Sequence, residues 1–180
     1  MGCRFSILLL AFSVFGASAS AQNTTHVRTS DPRMRRAIHD GVSRSTLFRD
    51  LVAQLDASDV IVYVEAESLL PQHLQGRLTF LSAVGGQRYV RVGIACALAG
   101  LQQIAILAHE LQHATEIASA EGVIDEVSLA EEYRRIGFAS AGVNGGAGYD
   151  SRAAIDAGRR VWQELSSVAK PPHQVASADE

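Results

Sequence analysis

Residues 101–120 read LQQIAILAHELQHATEIASA, and the chain is best read outward from this stretch. Ile104, Leu107, Leu111, Ala114 and Ala118 recur at three- and four-residue steps, which predicts an amphipathic helix. At about 100° per residue, His109 and His113 lie one turn apart on the face opposite that stripe. The helix is therefore expected to pack one face on a core and to turn the other toward a cleft. Two neutral imidazoles so placed can share one Zn²⁺ ion. Glu110 sits about 100° further round the helix, too far to chelate with both histidines. It can still reach a water on the metal and act there as a general base. The alternative is a pair of surface histidines on an ordinary solvated helix.

Upstream, Val60-Ile61-Val62-Tyr63-Val64 is a continuous β-branched run of the kind found in buried strands. Leu78–Val84 and Arg88–Ile94 predict a hairpin joined near Gly85 and Gly86. The second of these strands leads into the histidine helix and is placed to hold an extended peptide by strand addition. Further upstream, Asp31 and Pro32 start a basic helix that runs to His39, with Gly41 as an interruption. Ser45 or Thr46 caps another helix through Leu55. Downstream, a helix over Asp125–Ile136 ends at Gly137. Residues 137–149 form a glycine-rich loop that lacks a phosphate-cradle pattern. A last helix over Ser151–Ser167 presents Ile155, Gly158, Trp162 and Leu165 as one stripe. The order of elements predicts an α+β fold, with a small mixed sheet (strand plus hairpin) packed on the histidine helix.

The 180 residues carry 16 basic and 19 acidic side chains, a net charge of −3 that argues against a nucleic-acid-binding protein. Arg4, the apolar run Phe5–Phe15 and Ala19-Ser20-Ala21 read as a secretory signal over residues 1–21. The run is shorter than the roughly 20 residues a spanning helix needs. Residues 22–30 are expected to be a flexible leader, 31–168 a single domain, and 169–180 a disordered tail. The protein is thus expected outside the cytoplasm, in a periplasm or extracellular space, with no transmembrane segment after cleavage. Loss of residues 1–21 removes Cys3, so Cys96 would stand alone and no internal disulfide could form. The apolar surroundings of Cys96 predict a core position.

A zinc hydrolase needs a third protein ligand and an open position. No histidine lies between His113 and His173, so a carboxylate is expected. Glu116 shares the histidine face and suits an orienting contact to an imidazole N–H. Glu132 lies on the next helix, on its inward stripe. Asp150 opens the last helix, where an N-cap role would also account for it.

The segment Ile106–Ala114, ILAHELQHA, resembles the active-site helix of the zincin metallopeptidases. Thr115 departs mildly from the apolar residue usual there, and the metzincin extension is absent. The resemblance implies a zincin-like fold, one Zn²⁺ per chain and a peptide or protein substrate. It also implies His109 and His113 as ligands and Glu110 as base. In gluzincins a glutamate on a following helix completes the set, and Glu132 matches one common spacing. The chain as a whole also resembles small exported bacterial proteins that carry four features. These are a D-V-I-V-Y-V strand, H-E-L-Q-H-A-x-E, an R-I-G helix end, and a final aromatic-acid-Ser/Thr-x-A-A-x-x-A-G helix. Here they are Asp59–Val64, His109–Glu116, Arg135–Gly137 and Tyr149–Gly158. In that pattern the acid before the last helix is usually Glu, and here it is Asp150. The resemblance favours Asp150 over Glu132 as the third ligand. A zincin-like protein that binds metal without catalysis is the alternative.

Overall fold

Helix α1, Pro32–Arg44, begins where Asp31 accepts a hydrogen bond from the Arg33 N–H at 2.7 Å, with proline in the first turn. The computed structural model describes residues 25–71, 74–141 and 147–168. The signal and the tail expected at the two ends lie outside these residues. Gly41 does not interrupt α1. The ring of Phe48 presses on it, and a Cβ there would sit 2.8 Å from the ring atoms. Ser45 ends α1 and caps α2, Thr46–Asp56, by accepting from the Phe48 N–H.

The central sheet has the order β1-β2-β4-β3. Strand β2, Val60–Glu67, lies parallel to β4, Gln87–Ala95, from Val60 opposite Arg88 to Glu67 opposite Ala95. β3, Gly76–Val84, pairs antiparallel with β4 across Gly85 and Gly86. Both glycines have left-handed φ, 61° and 75°, as a tight hairpin turn demands. Part of the expected leader is structured. Val27–Arg28 forms β1, parallel to β2, and Val27 is buried against the core. Two residues are too few to show a strand period, so only tertiary pairing reveals this element.

The inner face of the sheet offers Val60, Val62, Val64, Phe80, Val90, Val92 and Ile94, all buried. Helix α3, Gly100–Ser119, lays Ile104, Leu107, Leu111 and Ala114 on this core. The expected apolar stripe is thus correct, but the opposite face is covered as well. Gln103, Glu110, His113 and Thr115 are buried too; α5, Arg152–Val168, packs along α3, and the start of β3 lies against Glu110. The buried stripe of α5 is Ala154, Ala157, Val161 and Leu165, and Trp162 is 44% exposed. The helices approach so closely that a Cβ on Gly158 would lie 3.1 Å from the Ala105 carbonyl oxygen. Small side chains make that contact, so the largest apolar residues do not mark it.

Helix α4, Glu126–Ile136, carries a capping box between Asp125 and Ser128 and ends at Gly137. Beyond Gly137 the chain forms a short antiparallel hairpin, β5, Phe138–Ala141, and β6, Ala147–Asp150, in place of the expected irregular loop. Cys96 is exposed, just past the end of β4. The fold is α+β. Among the described residues no helix is long and apolar enough to cross a membrane.

One expectation about partners changes with this topology. β4 is hydrogen-bonded on both sides, by β2 and β3, so it has no free edge to receive a peptide. The strand with an unpaired edge beside α3 is β3.

Candidate metal centre

His109 and His113 project from successive turns of α3, with ring centroids 4.9 Å apart and planes nearly perpendicular at 81°. Asp150 comes to them from the end of β6. Its Oδ1 lies 3.5 Å from His109 Nε2 and 3.6 Å from His113 Nε2. The three donor atoms lie within 4.8 Å of one another. Zinc bonds of about 2.0–2.1 Å in a tetrahedral arrangement place ligand atoms about 3.3–3.4 Å apart. The two histidine–Asp150 separations exceed this by only a few tenths of an ångström. Two imidazoles and a carboxylate, with two more carboxylates close by, are a donor set suited to a divalent cation.

Local backbone features put Asp150 there. Gly137 ends α4 against β6, and a Cβ on it would lie 2.6 Å from the Asp150 carbonyl oxygen. Phe138 pairs with Asp150 in the hairpin. The N-cap role considered for Asp150 belongs to Ser151, whose hydroxyl accepts from the Ala154 N–H at 3.0 Å. The Asp150 carboxylate is thereby left to the histidines, and its Oδ1 also accepts from the Ser151 N–H.

Glu116 lies against His113 on the same helix. Its Oε2 accepts from His113 Nδ1–H at 2.9 Å, which leaves Nε2 turned toward Asp150. Its other oxygen accepts from the Ser151 hydroxyl. Glu132 is not part of the cluster. Both of its carboxylate oxygens accept from the Arg135 guanidinium one turn along α4. The inward stripe of α4 ends instead on Tyr133, whose ring meets that of His113 edge-on at 5.2 Å and stacks on Tyr149.

The groups perturb one another strongly. Burial and the neighbouring His113 pull His109 below the ordinary imidazole range, against the pull of Asp150 and Glu116. Burial also opposes the charged form of His113, but hydrogen bonds to Asp150 and Glu116 outweigh it and hold the ring up at about 9. Burial would raise Asp150, yet the two histidines keep it below its ordinary value. Glu110 is pushed up to about 7 by burial, with His113 opposing and Asp150 reinforcing the shift. Its carboxylate lies against the first residue of β3. A Cβ on Gly76 would fall 2.5 Å from Glu110 Oε1, so the glycine makes room for it.

A cavity of about 510 Å³ lies elsewhere, between the β3–β4 turn and the end of α3. Its lining cation, Arg88, is fully engaged. The guanidinium holds both Asp59 oxygens at 2.7 Å and donates to the carbonyls of Ile117, Ala118 and Ala120. Arg88 thus ties the C-terminal end of α3 to β4, where the helix dipole favours a positive charge.

Comparison of the chain with protein-family models, with curated proteins and with solved structures finds no match.

Tyr133 and Gly76 also shape the centre and no sequence motif marks them, whereas Ser151 and Gly158 fall inside the Tyr149–Gly158 pattern without a role assigned to them there. Asp150-Ser151 does carry a signal, since it offers two capping side chains at a helix start that needs one.

Proposed function

We propose that this chain is an exported zinc-dependent hydrolase of zincin type, acting on peptide bonds in a periplasmic or extracellular space. The observation that carries the reading is the convergence of His109, His113 and Asp150, with Glu110 adjoining on the same helix. His109, His113 and Asp150 would hold the ion. Bound there, Zn²⁺ would polarise a carbonyl and lower the pKa of a coordinated water toward about 7.

The protein's own groups supply the rest. Glu110, held near 7 by burial, is matched to accepting a proton from the attacking water and returning it to a leaving amine at neutral pH. Glu116 fixes the ring of His113. The free edge of β3 begins at Gly76, beside Glu110, and can align an extended peptide by backbone hydrogen bonds.

Purified protein should contain one zinc per chain and cleave casein or a fluorogenic peptide library. Glu110→Gln should keep the zinc and lose about 10²–10⁴ in kcat. Cleavage that survives Glu110→Gln, or a protein that takes up no zinc, would reject the proposal.

A second reading, a zincin-like protein that binds metal without turnover, is favoured by how enclosed the cluster is. The His109 and Asp150 side chains are 20% and 22% exposed, and His113 only 7%. It predicts tight zinc, no product from any peptide pool, and loss of fold on chelation.

A further inference from the structure

Asp150 and Ser151 are consecutive, yet they reach opposite sides of the same imidazole. Asp150 faces His113 Nε2 at 3.6 Å. Ser151 donates to Glu116, which accepts from His113 Nδ1–H at 2.9 Å. Ser151 is 3% exposed, so its hydroxyl exchanges no hydrogen bond with bulk water. The same oxygen accepts from the Ala154 N–H and so opens α5. Its single proton is therefore directed at Glu116 and its lone pairs at the helix. Tyr133 bounds His113 from the α4 side, and its buried hydroxyl has no hydrogen-bond partner among the described residues.

We infer that Ser151 is a positioning residue for the metal. By donating to Glu116 it fixes the carboxylate that orients His113, while its neighbour Asp150 supplies the third donor atom. The inference rests on the metal reading above. One dipeptide at the β6–α5 junction then sets both a ligand and the orientation of another ligand on α3. Without the Ser151 proton, Glu116 keeps only His113 as a firm partner and can rotate, carrying the imidazole off the Asp150 axis. Orienting contacts of this kind typically change metal affinity by about 10–100-fold.

Ser151 also caps a helix, so the test must separate the two roles. Ser151→Gly removes the hydroxyl with little loss of capping, since glycine is itself well accepted at a helix N-cap. Ser151→Thr keeps both donor and cap. Zinc affinity is measured on the full chain by competition with a chromophoric chelator. The ligand-field spectrum of the Co²⁺-loaded protein reports the geometry of the site. Ser151→Gly should weaken zinc at least tenfold and shift the Co²⁺ bands, and Ser151→Thr should restore both. Apo-protein Tm, measured alongside, should differ little among the three. Unchanged affinity and spectrum in Ser151→Gly overturn the positioning role while leaving the metal site standing. Equal losses in Ser151→Gly and Ser151→Thr also overturn it, because the donor would then be irrelevant. A wild-type chain that binds no zinc overturns both the role and the reading beneath it.

Discussion

At the scale of single residues, the centre depends on which carboxylate is left without another task. Asp150 is free because Ser151 caps the helix, and Glu132 is engaged because Arg135 takes both its oxygens. Asp150→Ala should therefore weaken zinc binding by at least about 100-fold, and Glu132→Ala should leave it within twofold, as read by chelator competition. Equal effects of the two substitutions would remove Asp150 from the ligand set. The histidines and Glu110 were legible from their spacing on one helix. Asp150 was legible only through resemblance to a pattern, because sequence spacing cannot say that a hairpin will bring position 150 back to α3. Cys96 departs from its expected core position because its apolar neighbours belong to the strand before it and to the turn after it, and the thiol itself faces solvent.

Among the elements, α3 is held at its C-terminal end and along its length by contacts that hydrophobic periodicity does not report. At its C-terminus the Arg88 guanidinium bridges Asp59 and three helix carbonyls. The side-chain hydrogen bond from Arg88, outweighing burial, keeps Asp59 below its ordinary 3.8. The stability this contributes is present above that ordinary value and is lost as pH falls through the lower folded-state value. Asp59→Asn should accordingly lower Tm most at neutral pH, with the gap closing below about pH 4. A gap that stays constant with pH would show that the ion pair is not its source. Along its length α3 meets α5 through Gly158, where a Cβ would lie 3.3 Å from the Cβ of His109. Gly158→Val should cost about 1–3 kcal/mol in denaturant unfolding and weaken zinc, because the pushed-apart helices carry the ligands with them. Alanine and glycine contribute little to an apolar moment, so the true contact stripe of α5 was out of register with the one marked by Trp162. The hairpin β3–β4 and the caps of α1, α2 and α4 were legible, because turn and cap chemistry is local.

Over the whole molecule, an ion that ordered His109, His113 and Asp150 would couple metal uptake to folding. Zinc at about 100 times its Kd should add about 2.7 kcal/mol, which is about 5–10 °C in Tm for a domain of this size. Calorimetry with zinc and after chelation checks this, and a Tm indifferent to both would reject the metal site. The α+β class was legible because helical and strand periods fall in separate runs along the sequence, helices before and after one block of strands. The place of β4 inside the sheet was not, since pairing partners are set by tertiary contacts. The site joins two distant parts of the chain, α3 through His113 and the β6–α5 junction through Asp150. An ion bound to both closes the intervening stretch, which contains α4 and the β5–β6 hairpin, into a loop. In the chain-entropy picture a covalent bridge between those positions would be worth about 4 kcal/mol. A domain whose described residues hold one free cysteine would thus possess a reversible cross-link, made and broken by the zinc concentration around it instead of by redox chemistry.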